Sequence, residues 1–442
     1  MAGLLRNLIA GRRSLKMKRN ANNLLVTSAI AIALLAFGAV FTASTQLASA
    51  EAGYFWDETV ESVDRSPWIF EGTNVFGELA RVPPSDWVRT LEKAPYPTEL
   101  ENFVFLASNN EEQNISNWLH QTHTDSFLIY HDGKLVAEQY FNGMRADTSH
   151  RIHSITKTVL GMAAGLAVEA GKLDPKKLII EYLPELEGPA FKNTTVRHLL
   201  DMTAAVDWKD ASSGYLDDAG DLFCAFGQDL SEKVEICDTE SGVKEYMISL
   251  SDRETLVEDG EVYSYRSVLS ALLGMVIESA TGESYLDVLA ELWQDIGAQD
   301  PAYSELGPKR IVQTSGGLFT SSRDLLRFGV MMLDNGKVND TQVIPPDWIA
   351  DTIQANDDVI AAYEKSAYAE VFEGFHYRNQ VWVKDRENGA FYGIGVYGQL
   401  LYANQKANVV IVKLSSQPDV QNTPMYLDSM VAMKGIAETL SK

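Results

Sequence analysis

Cysteine is nearly absent from this chain of 442 residues: only Cys224 and Cys237 occur. Basic residues are scarce too, 37 Lys and Arg against 61 Asp and Glu, for a formal net charge of -24. Six of the 37, Arg6, Arg12, Arg13, Lys16, Lys18 and Arg19, lie in the first fifty residues, which hold no acid. The remainder therefore sets 31 basic against 61 acidic residues, a net charge of -30. Such a surface repels nucleic acid phosphates and anionic headgroups. That disfavours a nucleic-acid partner and leaves a heavily solvated surface as the simpler meaning. With 45% hydrophobic and 22% charged residues, the composition excludes disordered, collagenous and multispan membrane classes, and one or two packed units are expected.

Several chemical signatures are missing. No serine stands in a G-x-S-x-G elbow, and neither a Walker A pattern nor H-E-x-x-H occurs. His120-x-x-His123 reads as a surface pair on a polar helix end, so neither metal nor cofactor is expected. Gly393-x-Gly395-x-x-Gly398 has the spacing of a dinucleotide fingerprint, but Gln399-Leu400-Leu401-Tyr402 continues as strand where that fingerprint demands a helix. A glycine-rich strand edge, approached closely by a ligand, is the better physical reading.

One long uncharged run is present, residues 24–41, preceded by the basic stretch and followed by Ala48-Ser49-Ala50. This is the pattern of an export signal; an uncleaved anchor is the competing reading, since eighteen apolar residues just span a bilayer. Arg12-Arg13 is a weak hint of twin-arginine export. An exported chain reaches an oxidising compartment, where Cys224 and Cys237 are expected to pair. Two free thiols in an acidic loop are the alternative.

The chain divides into a leader over 1–50, an arm over 51–125 and a main unit over 126–442. The arm has scattered Trp, Pro and acidic residues without a sustained period, with one short helix expected at 85–92. Residues 126–131 and 134–141 are β-rich and joined by Asp132-Gly133, a tight hairpin signal. Residues 154–170 form a buried helix stopped by Gly171 and Pro175. Further helices are expected at 195–202, 265–280, 285–296 and 426–440, with strands around 380–384, 399–403 and 409–414. Strands at both ends of a helical middle imply one sheet built from both termini.

The strongest chemical signal is Ser154-Ile155-Thr156-Lys157 at the start of the apolar helix. Spacing i, i+3 places hydroxyl and amine on one helix face. A lysine in apolar surroundings gives up its proton more readily and can serve a serine nucleophile as base. The helix N-terminus favours the negative charge that develops there. Alone, S-x-x-K also describes a capping serine with a snorkelling lysine. The uncharged core of this helix tips the balance, because a lysine inside it is costly unless it has a partner or a task.

Here the chain resembles the serine hydrolases related to class C β-lactamases and DD-peptidases, especially their 6-aminohexanoate-oligomer hydrolase and esterase branch. Ser154 and Lys157 match the first motif and Tyr265-Arg266-Ser267 the second, a Y-x-S followed by the helix-like run 272–282. His198-Leu199-Leu200-Asp201-Met202-Thr203, Ser315-Gly316-Gly317-Leu318, Ser322-Arg323-Asp324-Leu325 and Tyr397-Gly398-Gln399 agree in order. The K/H-x-G element is replaced by Gly393-Ile394-Gly395-Val396, which puts recognition of a β-lactam carboxylate in doubt.

The resemblance implies an α/β (α+β) fold of β-lactamase and transpeptidase type. Its antiparallel sheet, from both termini, is flanked by helices, and a mainly helical domain is inserted at about 172–310. It assigns Ser154, Lys157 and Tyr265 as catalytic, the amides of Ser154 and Val396 as oxyanion hole, and Tyr215, Ser267 and Gly395 as substrate-binding. The implied activity is hydrolysis of a small-molecule ester or amide through an acyl-enzyme on Ser154; export is read from the leader, with membrane contact only through residues 24–41 if that segment stays uncleaved. The alternatives are a β-lactamase or D-alanyl-D-alanine carboxypeptidase on the same fold, and a binding protein on a hydrolase scaffold. Arg266 and Arg378 are the cations that could replace the missing basic residue.

If the two cysteines pair, the bond closes a short loop and contributes roughly 3 kcal/mol in chain-entropy terms. Non-reducing mass spectrometry of exported protein should find no alkylatable thiol, and finding two would exclude the bond.

Overall fold

The computed structural model describes residues 78–208, 218–227, 238–255, 257–419 and 421–442. The leader, the first part of the arm, Tyr215 and Cys237 lie outside them. The described chain opens on strand β1 (Glu78–Val82) and runs through helix α1 (Ile115–Gln121) into the hairpin β2 (Thr124–His131) and β3 (Lys134–Tyr140). Asp132 and Gly133 take φ of 46° and 79°, the left-handed pair that a two-residue hairpin requires. Strand β4 (Ser149–Arg151) leads into α2 (Ile155–Glu169), and α3 (Val196–Leu200), α4 (Ser267–Thr281) and α5 (Tyr285–Asp295) follow. Then come β5 (Ala302–Leu306), β6 (Leu318–Ser321) and α6 (Ser322–Leu333). The last third supplies β7 (His376–Arg378), β8 (Val381–Asp385), β9 (Ala390–Gly395), β10 (Gln399–Asn404), β11 (Val409–Ser415) and α7 (Thr423–Leu440).

The main sheet is seven-stranded and antiparallel, in the order β7-β8-β9-β10-β11-β2-β3. The N-terminal hairpin joins the C-terminal strands where β2 pairs with β11, from Thr124↔Ser415 to His131↔Val409, so one sheet is indeed built from both ends of the unit. A second sheet, ordered β1-β5-β6-β4, was not legible beforehand: its strands have only three to five residues, too few for a period to show. Helix α2 packs against β8, β9 and β10, and α6 against β10, β11 and β2. Every residue of α2 from 155 to 165 is buried, as its apolarity on all sides required.

The helix expected at 85–92 does not form. Its backbone is drawn outward instead: Ser85 N donates to Ala298 O (2.9 Å), Arg89 N to Gly297 O (3.0 Å), and Glu92 O accepts from Leu135 N (2.7 Å). A helix this short is marginal without packing, and the end of α5 and the edge of β3 offer its polar groups better partners.

Strand β11 carries a second buried lysine. Lys413 is 0% exposed, donates to Ser415 Oγ, and has its pKa pushed down to about 7 by burial, which the charge of Asp125 opposes only in part. An unfolded lysine titrates near 10.4. Between about 7 and 10.4 the unfolded chain holds the extra proton, so this group makes stability rise with pH across that window, and its full burial cost is felt below it. Lys413→Met should therefore raise the melting temperature at about pH 6, with the gain shrinking toward about pH 10. Thermal unfolding at both pH values checks this; a variant less stable than the parent at the lower pH goes against it.

Candidate active site

Strand β4 delivers the chain to the start of α2. Ile152 N donates to Leu318 O (3.0 Å), His153 takes a left-handed φ of 47°, and Ser154 enters the helix at φ -66°, ψ -4°. The side chain of Ser154 caps nothing. Its Oγ accepts instead from Lys157 Nζ at 2.9 Å. Lys157 is 1% exposed, and its Nζ also donates to the carbonyl of Ser315 at 2.5 Å. A capping serine with a snorkelling lysine is thereby excluded.

Tyr265 arrives from a loop tied down on both sides. Tyr263 N donates to Ala362 O (3.0 Å), Ser264 N to Met202 O (2.9 Å), and Arg266 Nη1 to Ala204 O (2.6 Å). The Tyr265 ring lies with its centroid 5.0 Å from Lys157 Nζ, stacks on Trp382 at 5.5 Å and meets Tyr377 edge-on at 5.9 Å. Tyr263 is 2% exposed, packed among Tyr363, Tyr368 and Trp382, and burial pushes its hydroxyl pKa well up. Tyr265 is thus the tyrosine against the lysine. Ser267 opens α4, which is tied to the sheet side by the Ser270 Oγ to Gln380 Oε1 bond (2.6 Å).

Strand β9 presses on the same turn. A Cβ at Gly395 would stand 2.6 Å from Ile152 O and 3.2 Å from His153 Cβ; one at Gly393 would stand 3.1 Å from Ile155 Cγ2 and 3.2 Å from Thr158 Oγ1. At Gly395 only glycine permits this approach, whereas at Gly393 a Cβ would need Ile155 and Thr158 to give by a few tenths of an ångström. A basic side chain at 393 would start toward Ile155 and Thr158 of α2. The following turn, residues 396–398, is clamped by Tyr426, whose hydroxyl donates to Gly395 O (2.6 Å) and accepts from Gly398 N (2.9 Å). Tyr397 adopts φ of 61° and sets its ring 5.1 Å from that of His153. Val396 therefore sits at the strand end beside the Ser154 turn.

Burial shifts several neighbouring groups. Burial holds His153 well below the usual imidazole range, helped by the charges of Arg151, His150 and Lys157, so a neutral ring packs on Tyr397. Burial raises Tyr397 to about 12 and Glu305 to about 7 against the pull of Arg151. Arg378 is spent on structure, donating Nη1 to Asp201 and Nη2 to Asp351, each at 2.6 Å. Arg266 is turned to Ala204 O.

Tyr215 and Cys237 fall outside the described residues; Cys224 is disulfide-bonded. Among the described residues, no group of His, Cys, Asp and Glu could hold a metal ion. Two contributors escaped the sequence reading, the Ser315 carbonyl and Arg151, whose Nε donates to Gly316 O (3.2 Å) and Nη2 to Glu305 (2.6 Å). The Ser315-Gly316-Gly317 run marked the segment, but a backbone carbonyl leaves no residue-type signal.

A buried lysine bonded to a serine at a helix start, with a tyrosine ring and a glycine strand edge alongside, defines a serine hydrolase of the β-lactamase and transpeptidase fold. A family model described as Beta-lactamase matches residues 112–426, and the chain belongs to that family. It is 29% identical over 303 residues to the 6-aminohexanoate-dimer hydrolase of Paenarthrobacter ureafaciens, covering 68% of this chain and 74% of that one. Among solved structures, a Bacillus anthracis protein provisionally assigned as a 6-aminohexanoate-dimer hydrolase superposes with a TM-score of 0.72 at 27% identity, over 83% of this chain and 92% of that one. A family VIII carboxylesterase shares the fold, with a TM-score of 0.52 at 16% identity over 73% and 95% of the two chains.

Gly393→Lys should lower stability by about 1–3 kcal/mol through overpacking against α2 and should not speed nitrocefin hydrolysis. Thermal unfolding and nitrocefin assays check both; a stable variant with faster turnover would mean that the strand edge has room for a cation.

Proposed function

We propose that the protein is an exported serine hydrolase that cleaves ester or amide bonds through an acyl-enzyme on Ser154. The observation that carries this reading is the 2.9 Å bond from Lys157 Nζ to Ser154 Oγ, made by a lysine only 1% exposed. Ser154 Oγ attacks the substrate carbonyl while its proton passes to the Lys157 and Tyr265 pair. The amides of Ser154 and Val396 hold the tetrahedral oxyanion. Collapse expels the alcohol or amine, protonated by the same pair, and water then attacks the acyl-enzyme to release the acid and restore the serine. Ser267, Gly395 and Tyr215 contact the substrate beside the scissile bond.

Substrate choice follows from charge. Position 393 supplies no cation, Arg378 is paired with two carboxylates, and the acidic protein repels anions at long range, less so in salt. Neutral or cationic acyl compounds are favoured over those with a carboxylate beside the scissile bond. Similarity to an aminohexanoate-dimer hydrolase makes linear amides candidates, and esters, with the better leaving group, should react faster. Export rests on the signal pattern over residues 24–50 and agrees with a disulfide at Cys224.

A fluorophosphonate probe should label the protein but not Ser154→Ala, which should lack turnover, while Lys157→Ala and Tyr265→Phe should each lose on the order of 10² to 10⁴ in rate. The kcat/KM for p-nitrophenyl acetate should exceed that for nitrocefin. Most activity surviving in Ser154→Ala would remove the mechanism; the reverse substrate ranking would remove the charge argument.

A further inference from the structure

The loop between β5 and β6 holds Lys157 from outside its own helix. Gln313 is 2% exposed, and its Oε1 accepts three bonds, from Ser315 N (2.9 Å), Ser315 Oγ (3.0 Å) and Gly316 N (2.8 Å). The loop is further fixed by Gln313 N to Glu305 O (2.9 Å) and Gly317 N to Gln313 O (3.0 Å), and by Thr314 Oγ1 to Ser270 O (2.9 Å). A trans peptide points its N–H and its C=O in opposite directions. Drawing the Gly316 N–H inward onto Gln313 therefore turns the Ser315 carbonyl outward, where it meets Lys157 Nζ. The next carbonyl, Gly316 O, meets Arg151, which is paired in turn with Glu305.

We propose that Gln313 is a positioning residue for proton transfer at Ser154: its carboxamide sets the Ser315–Gly316 peptide, and that peptide aims Lys157. The inference rests on the reading of Ser154 and Lys157 given above. A neutral carbonyl suits the task because it orients the amine without the full charge that would retain its proton. Glutamine serves the loop for the same reason: it accepts three donors while placing no carboxylate behind the lysine. The charged groups around the loop are then Lys157 from α2, Arg151 from β4 and Glu305 from β5, with the Tyr265 ring opposite.

The test uses two variants of the whole chain. Gln313→Met keeps length and removes the acceptor; Gln313→Glu keeps the acceptor and adds charge. For each, kcat and KM on p-nitrophenyl acetate are measured across the pH range in which the protein stays folded, per serine titrated by fluorophosphonate, alongside thermal unfolding. The Met variant should lose about 10- to 100-fold in kcat with KM changed less than about threefold. The Glu variant should regain kcat to within about threefold of the parent at high pH, with the acid limb of its profile moved upward, because the new carboxylate favours the ammonium form of Lys157. A Met variant that loses melting temperature and titratable serine but keeps kcat per serine would reduce Gln313 to packing and overturn the inference, as would a Glu variant with an unmoved profile. If the parent is not labelled at Ser154, the nucleophile reading falls and takes this inference with it; labelling with unchanged Gln313 variants sinks this inference alone.

Discussion

A lysine with almost no exposure governs this fold. An amine inside an apolar helix is costly unless it is given acceptors, and here two come from different parts of the chain. Ser154 Oγ lies one turn back on the same helix, and the Ser315 carbonyl is 158 residues away. Bringing them together requires β4 and β6 to pair, because β4 feeds the helix and β6 follows the loop that bears Ser315. The small second sheet is therefore the frame that sets the amine against its carbonyl.

The close approach of β9 to α2 is the other constraint. Gly393 and Gly395 let the strand lie on the turn that carries Ser154, which sets the strand end at Val396 beside that turn. The same closeness leaves little room at position 393, where a Cβ would stand 3.1 Å from Ile155 Cγ2, and glycine there supplies no cation. The Tyr426 hydroxyl, bonded at both Gly395 and Gly398, clamps the strand end in place.

Tyr265 shows how an aromatic cluster positions a polar group. Its ring rests on Trp382 and against Tyr377, and these rings pack on Tyr263 and Tyr363. Aromatic side chains have few rotatable bonds and bury a large area, so such a wall holds a ring firmly. The wall is assembled from the loop before α4, from β7 and β8 and from the residues around 363–368, which makes the tyrosine sensitive to how those segments meet.

What the sequence determined by itself lies mostly within single elements. The i, i+3 spacing of Ser154 and Lys157, the buried character of residues 155–165, the Asp132-Gly133 hairpin and the strand continuing past Gly398 all appear where expected, because local geometry dictates each of them. Tyr265 and the Gly393–Val396 edge were placed by resemblance to a family and not by pattern. The tertiary structure decided the rest: that residues 85–92 give their hydrogen bonds to α5 and β3 rather than to a helix, that Arg378 goes to Asp201 and Asp351, and that Lys157 leans on Ser315 through a peptide turned by Gln313. The physical reason is that these outcomes depend on backbone groups and on contacts between distant segments. Every residue carries the same N–H and C=O, so residue type does not tell which carbonyl will face a buried amine; only the packing of the chain does.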